Sequence, residues 1–535
     1  MRTSPMRTPT HCGWSWERLR CDRAPQCRWK WTRLRCSLHP EPPPLDSPSN
    51  TILVILSVVV ILLICLLLRV LARRPPGLLR TVMRLVFCRG RRRPGALTSI
   101  AFPTHADDLT PAALTRMLRH GGHLDERTAV ASVRDRLATI RDGVKGDKAI
   151  IDVQYEGRPP AGLPSTFFVK FAVSKLSAMR VLCATSEVSE CEALFYHELA
   201  AECPVPTPRC FFVDFTELTA DFCLVSELVP FGTPAVSPLK HRVRDAPKLD
   251  ELRRLVQMGG RLNCAFWGDT ALKRGIRRFD ATHRRAWPLM QMLSTLGLRH
   301  TTARTLKGRA TTTPFMTWAA PEELIGNEAA LIRDMPAILT SLCDEVELTA
   351  FGHNDIVADN AYFVHGDTQS YAASYAAGST GVPGLFDWQQ SCVNSIGQEW
   401  AWNWHFLPPE FLTAHEDELI DLLLATYELS GRTVQRADFL RHYALGCAQM
   451  YCFSGGGLQA LMGRLDKRGI LSGLQPDDAR CSSEPASDAD AELLELLVGA
   501  EMSRRAFTNA CNIMRRHGFA REWQRWRRAR GLAEV

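Results

Sequence analysis

The sequence predicts an α+β fold: a small antiparallel sheet with one helix, then a larger, mainly helical region, all preceded by a single transmembrane helix. Three observations carry this. Short apolar runs separated by turn residues fill residues 148–226. Helix-period patterning dominates 232–348 and returns beyond 391. Residues 51–68 are apolar without a charge and end at Arg69.

Taken in order, residues 1–50 are rich in Pro, Trp and Arg, show no periodicity, and read as a disordered tail. Four of the 18 cysteines, Cys12, Cys21, Cys27 and Cys36, lie there in a spacing that fits no zinc pattern. On the outer side of a membrane they would suit disulfides; the scattered remainder reads as buried, reduced thiols. Roughly 18–20 apolar residues cross a hydrocarbon core, so residues 51–70 are expected to anchor the chain in one pass. Glu41 and Asp46 precede the span, whereas Arg69, Arg73, Arg74, Arg80, Arg84 and Arg91 to Arg93 come after it. Positive flanks stay inside, so the large C-terminal part is expected to face the cytoplasm. Residues 71–97 form a basic juxtamembrane linker, of which 78–87 could lie along the membrane surface. The net charge of +8 is concentrated in the first hundred residues and after Arg504. That suits an anionic surface, and no nucleic-acid-binding motif accompanies it.

Residues 98–140 carry helical patterning, with Thr110 and Pro111 as a start signal. Strands are expected at 148–155, 166–171, 210–214 and 222–226, with a helix at about 187–202 that Pro204, Pro206 and Pro208 end. A strand-loop zone at 348–391 interrupts the helical part, and 477–490 reads as a loop before a last helical stretch to about 530. The N-terminal lobe is thus placed at 98–230 and the C-terminal lobe at 231–535.

The most informative stretch runs from Phe351 to Phe363 and contains H-x-D-x-x-x-x-N as His353, Asp355 and Asn360. Phosphoryl transfer needs a carboxylate beside the acceptor hydroxyl and oxygen ligands for a divalent metal. Asp355 can take the first role and Asn360 part of the second. Asp387, which ends an apolar run beside Trp388, is the expected second metal ligand. Upstream, Lys170 lies mid-strand in an apolar run, where an unpaired ammonium is costly. Glu192 on the next helix can pair with it, and Glu187 and Glu190 compete for that part.

This order of strand Lys, helix Glu, H-x-D-x-x-x-x-N and Asp-aromatic resembles the aminoglycoside phosphotransferase and choline-kinase group of protein-kinase-like enzymes. Glu192-Ala-Leu-Phe-Tyr196 and Asp387-Trp-Gln389 are similar to the E-x-x-F-Y and D-F-Q of its ecdysteroid-kinase-like, CHK-type branch. The resemblance covers roughly residues 105–460. It implies a bilobal protein-kinase-like fold using ATP and Mg²⁺. Lys170 would bind the α/β-phosphates and Glu192 would orient it. The segment from Leu224 to Val229, with Glu227 and Val229, would pass the adenine. Asp355 would be the catalytic base, Asn360 and Asp387 the Mg²⁺ ligands, and His353 a support for the loop. Gly143 and Gly146 would mark the phosphate-covering turn, though no G-x-G-x-x-G is present.

Two departures stand out. Asn354 occupies the centre of the family's His-Gly-Asp, and a Ser/Ala/Tyr/Gly-rich insert at 368–381 separates Asn360 from Asp387. A second tripeptide, His365-Gly366-Asp367, places Ala372 where the Asn is required, so the first site is preferred. Trp400, Trp402 and Trp404 suggest either a cage for a quaternary ammonium or a buried helix face. Trp523 and Trp526, among Arg525, Arg527, Arg528 and Arg530, suggest either contact with anionic lipid or a solvated helix end. The expectation is a membrane-anchored enzyme that phosphorylates a hydroxyl of a small molecule; the alternative is a catalytically inactive kinase-like scaffold at a membrane. A protein kinase is disfavoured, since neither D-F-G nor A-P-E is found after Asp387.

Overall fold

The apolar run around Lys170 builds one strand of a five-stranded antiparallel sheet. The computed structural model describes residues 94–534 except 136–145, 174–177, 218, 231–244, 246, 307–314, 316–319, 365–381 and 483–486, together with 81, 82 and 85. The expected tail and nearly all of the linker lie outside the described residues, as do Gly143, the expected membrane span at 51–70 and the four early cysteines. No helix among the described residues is long and apolar enough to cross a membrane.

Helix α1 (Pro111–His120) starts as its sequence dictates: the Thr110 side chain accepts from the Ala113 N–H, and Pro111 needs no donor. Strand β1 (Ala129–Asp135) comes next, so the helical reading of 98–140 is corrected over these residues. Its pairing with β2 (Gly146–Glu156) shifts register between Val130 and Ser132, and this bulge breaks the period-two pattern that marks a strand. Strand β3 (Thr166–Ala172) pairs with β2 on one side and, on the other, with the later strand Phe222–Glu227; Lys170 lies opposite Lys148 and Leu224. After β3 come α2 (Ala178–Thr185) and α3 (Val188–Leu194), separated at Glu187 by a left-handed residue (φ 54°). A wide π turn (Phe195–Leu199) prolongs α3. Strand β4 (Cys210–Phe215) closes the sheet edge, and its buried Asp214 accepts from the backbone N–H groups of Leu97 and Thr98. With Phe222–Glu227 as β5, the strand order is β1-β2-β3-β5-β4.

The remainder is mainly helical: α4 (Leu249–Ala265), α5 (Phe279–His283), α6 (Trp287–Leu306) and α7 (Glu328–Asp344). Then come β6 (Thr349–Gly352), β7 (Ala361–Val364), β8 (Val382–Leu385) and β9 (Cys392–Ser395), and after them α8 (Ile396–Asn403). Helices α9 (Pro409–Leu429), α10 (Arg436–Lys467), α11 (Asp488–Arg516) and α12 (Phe519–Ala529) complete the chain. Two short antiparallel ladders, β6–β9 and β7–β8, form the frame between them.

One large core joins α3 to the helical part through Phe195, Phe351 and Trp388. Phe195 stacks on Trp388 with centroids 3.6 Å apart, and both rings are fully buried. A second core fills the space between the sheet and α1. The terminal aromatics are not lipid-facing: Trp523 is buried with its indole N–H on Asp334, and Trp526 donates to Ser341. Arg527, also buried, pairs with Asp334. The basic, Trp-bearing face thus docks α12 onto α7. The described cysteines are free thiols, most of them buried.

Candidate active site

Lys170 is brought to the base of the sheet by β3, and Glu192 meets it from α3. Its ammonium is 2.8 Å from Glu192 Oε2 and 2.6 Å from Asp387 Oδ1. Both Lys170 and Glu192 are almost completely buried, at 3% and 1% exposure. Burial alone would lower the Lys170 pKa, but the carboxylates of Asp387 and Glu192 outweigh it and hold the pKa above the usual value. The ammonium therefore stays charged where it can meet an anion. The competitors are engaged elsewhere: Glu190 pairs with Arg277 and Glu187 with Arg285, tying α3 to the helical part.

Asp355 and Asn360 lie on the loop between β6 and β7. The Asn360 side-chain amide donates to the Asp355 carbonyl at 3.0 Å, which turns its own oxygen away from that bond. The Trp402 indole N–H lies 3.4 Å from Asp355 Oδ1, and Ile356 N–H donates to Asn403 Oδ1 at 2.9 Å. Helix α8 thus holds the loop on both sides of the Asp355 carboxylate.

Asn354 explains its own departure from His-Gly-Asp. It adopts φ 56°, a left-handed conformation that Gly takes freely and Asn tolerates better than other side chains. Its side chain then does what Gly cannot. The amide donates to the carbonyls of Gly352 (3.0 Å) and Cys392 (3.2 Å), while Oδ1 accepts from Asn394 (2.8 Å). His353 is fully buried and burial lowers its pKa, so it stays neutral, its Nε2 3.1 Å from the Phe386 carbonyl. That contact links the loop to the residue before Asp387.

The long insert does not separate the two metal-ligand candidates in space. The β7–β8 ladder pairs Ala361 with Leu385, and the Phe386 N–H donates to the Asn360 carbonyl at 3.1 Å. Asn360 and Asp387 therefore flank the base of one hairpin. Asp387 itself is left-handed (φ 65°). The second tripeptide, His365-Gly366-Asp367, lies outside the described residues.

Asn360 and Asp387 offer hard oxygen donors, the chemistry that suits Mg²⁺. Among the described residues no group of three His, Cys, Asp or Glu could hold a metal by itself. Two oxygen side chains completed by phosphate and water are the usual Mg²⁺ arrangement in phosphoryl transfer. Glu227 ends β5, its backbone N–H donating to Arg209 and its Oε2 accepting from the Arg209 N–H. Val229 packs with Tyr362 and Phe386, giving an apolar wall beside the β5 exit.

Several supporting residues carry no motif. Glu399 on α8 is fully buried and accepts from the Asn263 amide (2.8 Å) and the Asn354 N–H (3.4 Å). Burial pushes its pKa up to about 7 against these hydrogen bonds. Trp400 and Tyr427 complete this network on Asn263. An isolated acid inside an aromatic, apolar helix is the available sequence signal. Of the two readings of the tryptophans, the buried helix face holds: Trp400 and Trp404 are buried and packed against each other, while Trp402 turns to Asp355.

No protein-family model matches the sequence, and no curated protein is similar to it. Solved structures are. An ethanolamine kinase from Plasmodium vivax shares 12% identity and a TM-score of 0.36, covering 75% of this chain and 88% of its own. A choline kinase from Cryptosporidium parvum shares 9% and 0.35, covering 74% and 93%. A macrolide 2'-phosphotransferase from Brachybacterium faecium shares 13% and 0.31, covering 68% and 98%. These belong to the group that the motifs resemble.

Proposed function

We propose that the chain is an ATP-dependent phosphotransferase with a protein-kinase-like bilobal fold, which moves the γ-phosphate onto a hydroxyl of a small molecule. The carrying observation is the convergence of Lys170, Glu192 and Asp387 on one buried ion cluster, beside the hairpin base that bears Asn360.

The resemblance suggests each role, and the placement of the residues supports it. Lys170, kept protonated by its carboxylate partners, would hold the α/β-phosphates, with Glu192 fixing its direction. The β5 exit at Glu227 and Val229 would receive the adenine against the apolar wall of Val229, Tyr362 and Phe386. Asn360 and Asp387 would hold Mg²⁺, which neutralises charge on the phosphates when bound. Asp355, oriented by Trp402, would accept the proton of the attacking hydroxyl as its oxygen bonds to the γ-phosphorus and the bridging oxygen leaves with ADP. We also propose that residues 51–70 anchor the enzyme in a membrane with this domain on the cytoplasmic side, where ATP is available; the Arg-rich flank after the span supports that side.

The test is Mg²⁺-dependent ATP binding by the purified full-length chain, measured by calorimetry. Binding that is weakened in Asp387→Ala is expected. A full-length chain that is folded but binds no nucleotide overturns the reading.

A further inference from the structure

Helix α3 carries carboxylates on two faces. Glu190 and Glu192 are two positions apart, about 200° around a helix, so they look in nearly opposite directions. Glu192 meets Lys170 of the sheet at 2.8 Å. Glu190 faces the segment before α5, where Arg277 Nε and Nη2 both donate to its Oε1, the first at 2.8 Å. One turn earlier, Glu187 pairs at 2.7 Å with Arg285, which follows α5. Glu187 and Glu190 are both largely buried, and the charge of Glu190 helps to raise the Glu187 pKa, after burial itself. This end of α3 therefore holds two like charges close together, and the arginines balance them.

Arg277 is fixed at its other end to the frame of the Asp355 loop. Its carbonyl accepts from the Val393 N–H at 2.9 Å. Val393 lies opposite Phe351 in the β6–β9 ladder, and Phe351 stands two residues before His353. The neighbouring Arg278 pairs with Asp280 (2.6 Å) and Asp344 (2.8 Å), which pins this segment in place. One residue thus joins the strands that carry the Asp355 loop to the helix that carries Glu192.

We infer that Arg277 is a positioning residue: through Glu190 it sets the orientation of α3 that keeps Glu192 on Lys170. This rests on the phosphotransferase reading, in which Lys170 holds the nucleotide phosphates. The Arg277 side chain is 45% exposed, and ion pairs open to water add little to global stability. The orientation of α3 is more sensitive. Without the guanidinium, Glu190 loses its ion-pair partner beside a second carboxylate. Repulsion and hydration then both draw that end of α3 toward water, and Glu192, on the opposite face, turns away from Lys170.

The experiment measures Mg²⁺-ATP affinity by calorimetry for the full-length chain and for Arg277→Gln, Glu190→Gln and Arg277→Lys, with a thermal midpoint for each. ATP affinity should fall about tenfold in Arg277→Gln and in Glu190→Gln, well within what a small misplacement can cost. Arg277→Lys should stay within about threefold of wild type, because both guanidinium donors converge on one carboxylate oxygen and a single ammonium can take their place. The four midpoints should agree. Wild-type affinity in both Arg277→Gln and Glu190→Gln overturns the inference and leaves the phosphotransferase reading intact. So does a loss of affinity that comes with lowered midpoints and is not recovered in Arg277→Lys, since that assigns the pair to stability. A folded wild-type chain that binds no ATP removes both.

Discussion

Lys170 and Glu192 face each other at 2.8 Å across the junction of β3 and α3, and both are almost completely buried. Removing one partner from such a pair strands a buried charge, at about 3–5 kcal/mol. Glu192→Leu is therefore expected to lower unfolding free energy by about that amount in chemical denaturation. Asp387 moderates the loss, because it also touches Lys170. The double variant Lys170→Met/Glu192→Leu should recover much of the stability and none of the turnover. Recovery of both would remove the pair from catalysis.

Asp355 and Asp387 should separate binding from chemistry. Asp355→Asn is expected to lower turnover by about 10²–10⁴-fold, the usual contribution of a positioned base, with ATP affinity kept. Asp387→Asn should instead weaken Mg²⁺-dependent ATP affinity. Calorimetry beside steady-state ADP release distinguishes the two; loss of nucleotide affinity in Asp355→Asn would count against its role as base.

Glu399 should imprint a pH dependence on stability. The folded state keeps its proton up to about pH 7, whereas the usual value for the side chain is 4.5. Between these values the unfolded chain binds fewer protons, so stability falls as pH rises and levels off above about 7. The full difference corresponds to about 3 kcal/mol. Glu399→Gln should flatten this slope between pH 4.5 and 7.5 in thermal or urea unfolding. An unchanged slope would assign the dependence elsewhere.

Asn354 separates backbone from side chain. Gly keeps the left-handed backbone and loses only the hydrogen bonds, whereas Ala adds roughly 1–2 kcal/mol of conformational cost. The order of stability should be wild type, then Asn354→Gly, then Asn354→Ala, with turnover in the same order. Denaturant midpoints and ADP release check it; Ala equal to Gly would mean that the φ of 56° is not a constraint.

The candidate site residues are legible in the sequence because their types and order are local: Lys170 in an apolar strand, Glu192 on the second helix after it, Asp355 and Asn360 on one loop. The residues that hold them are not. Glu399 meets Asn263 across 136 positions, and Trp402 meets Asp355 across 47. No window of sequence spans those contacts. Strand β1 carries a helix-like pattern because its bulge at Val130 to Ser132 disturbs alternation. The tryptophans of α12 read as surface groups because their partners, Asp334 and Ser341, lie almost two hundred residues earlier. The expected membrane span at 51–70 rests on hydropathy alone and lies outside the described residues.

The β7–β8 ladder has a practical meaning. Pairing of Ala361 with Leu385 fastens both strands beside Asn360 and Asp387, whatever chain runs between Val364 and Val382. Closing a longer loop costs only about 0.6 kcal/mol per doubling of its length. The length of the connection between Val364 and Val382 therefore matters less than the ladder, which keeps the candidate ligands Asn360 and Asp387 in register.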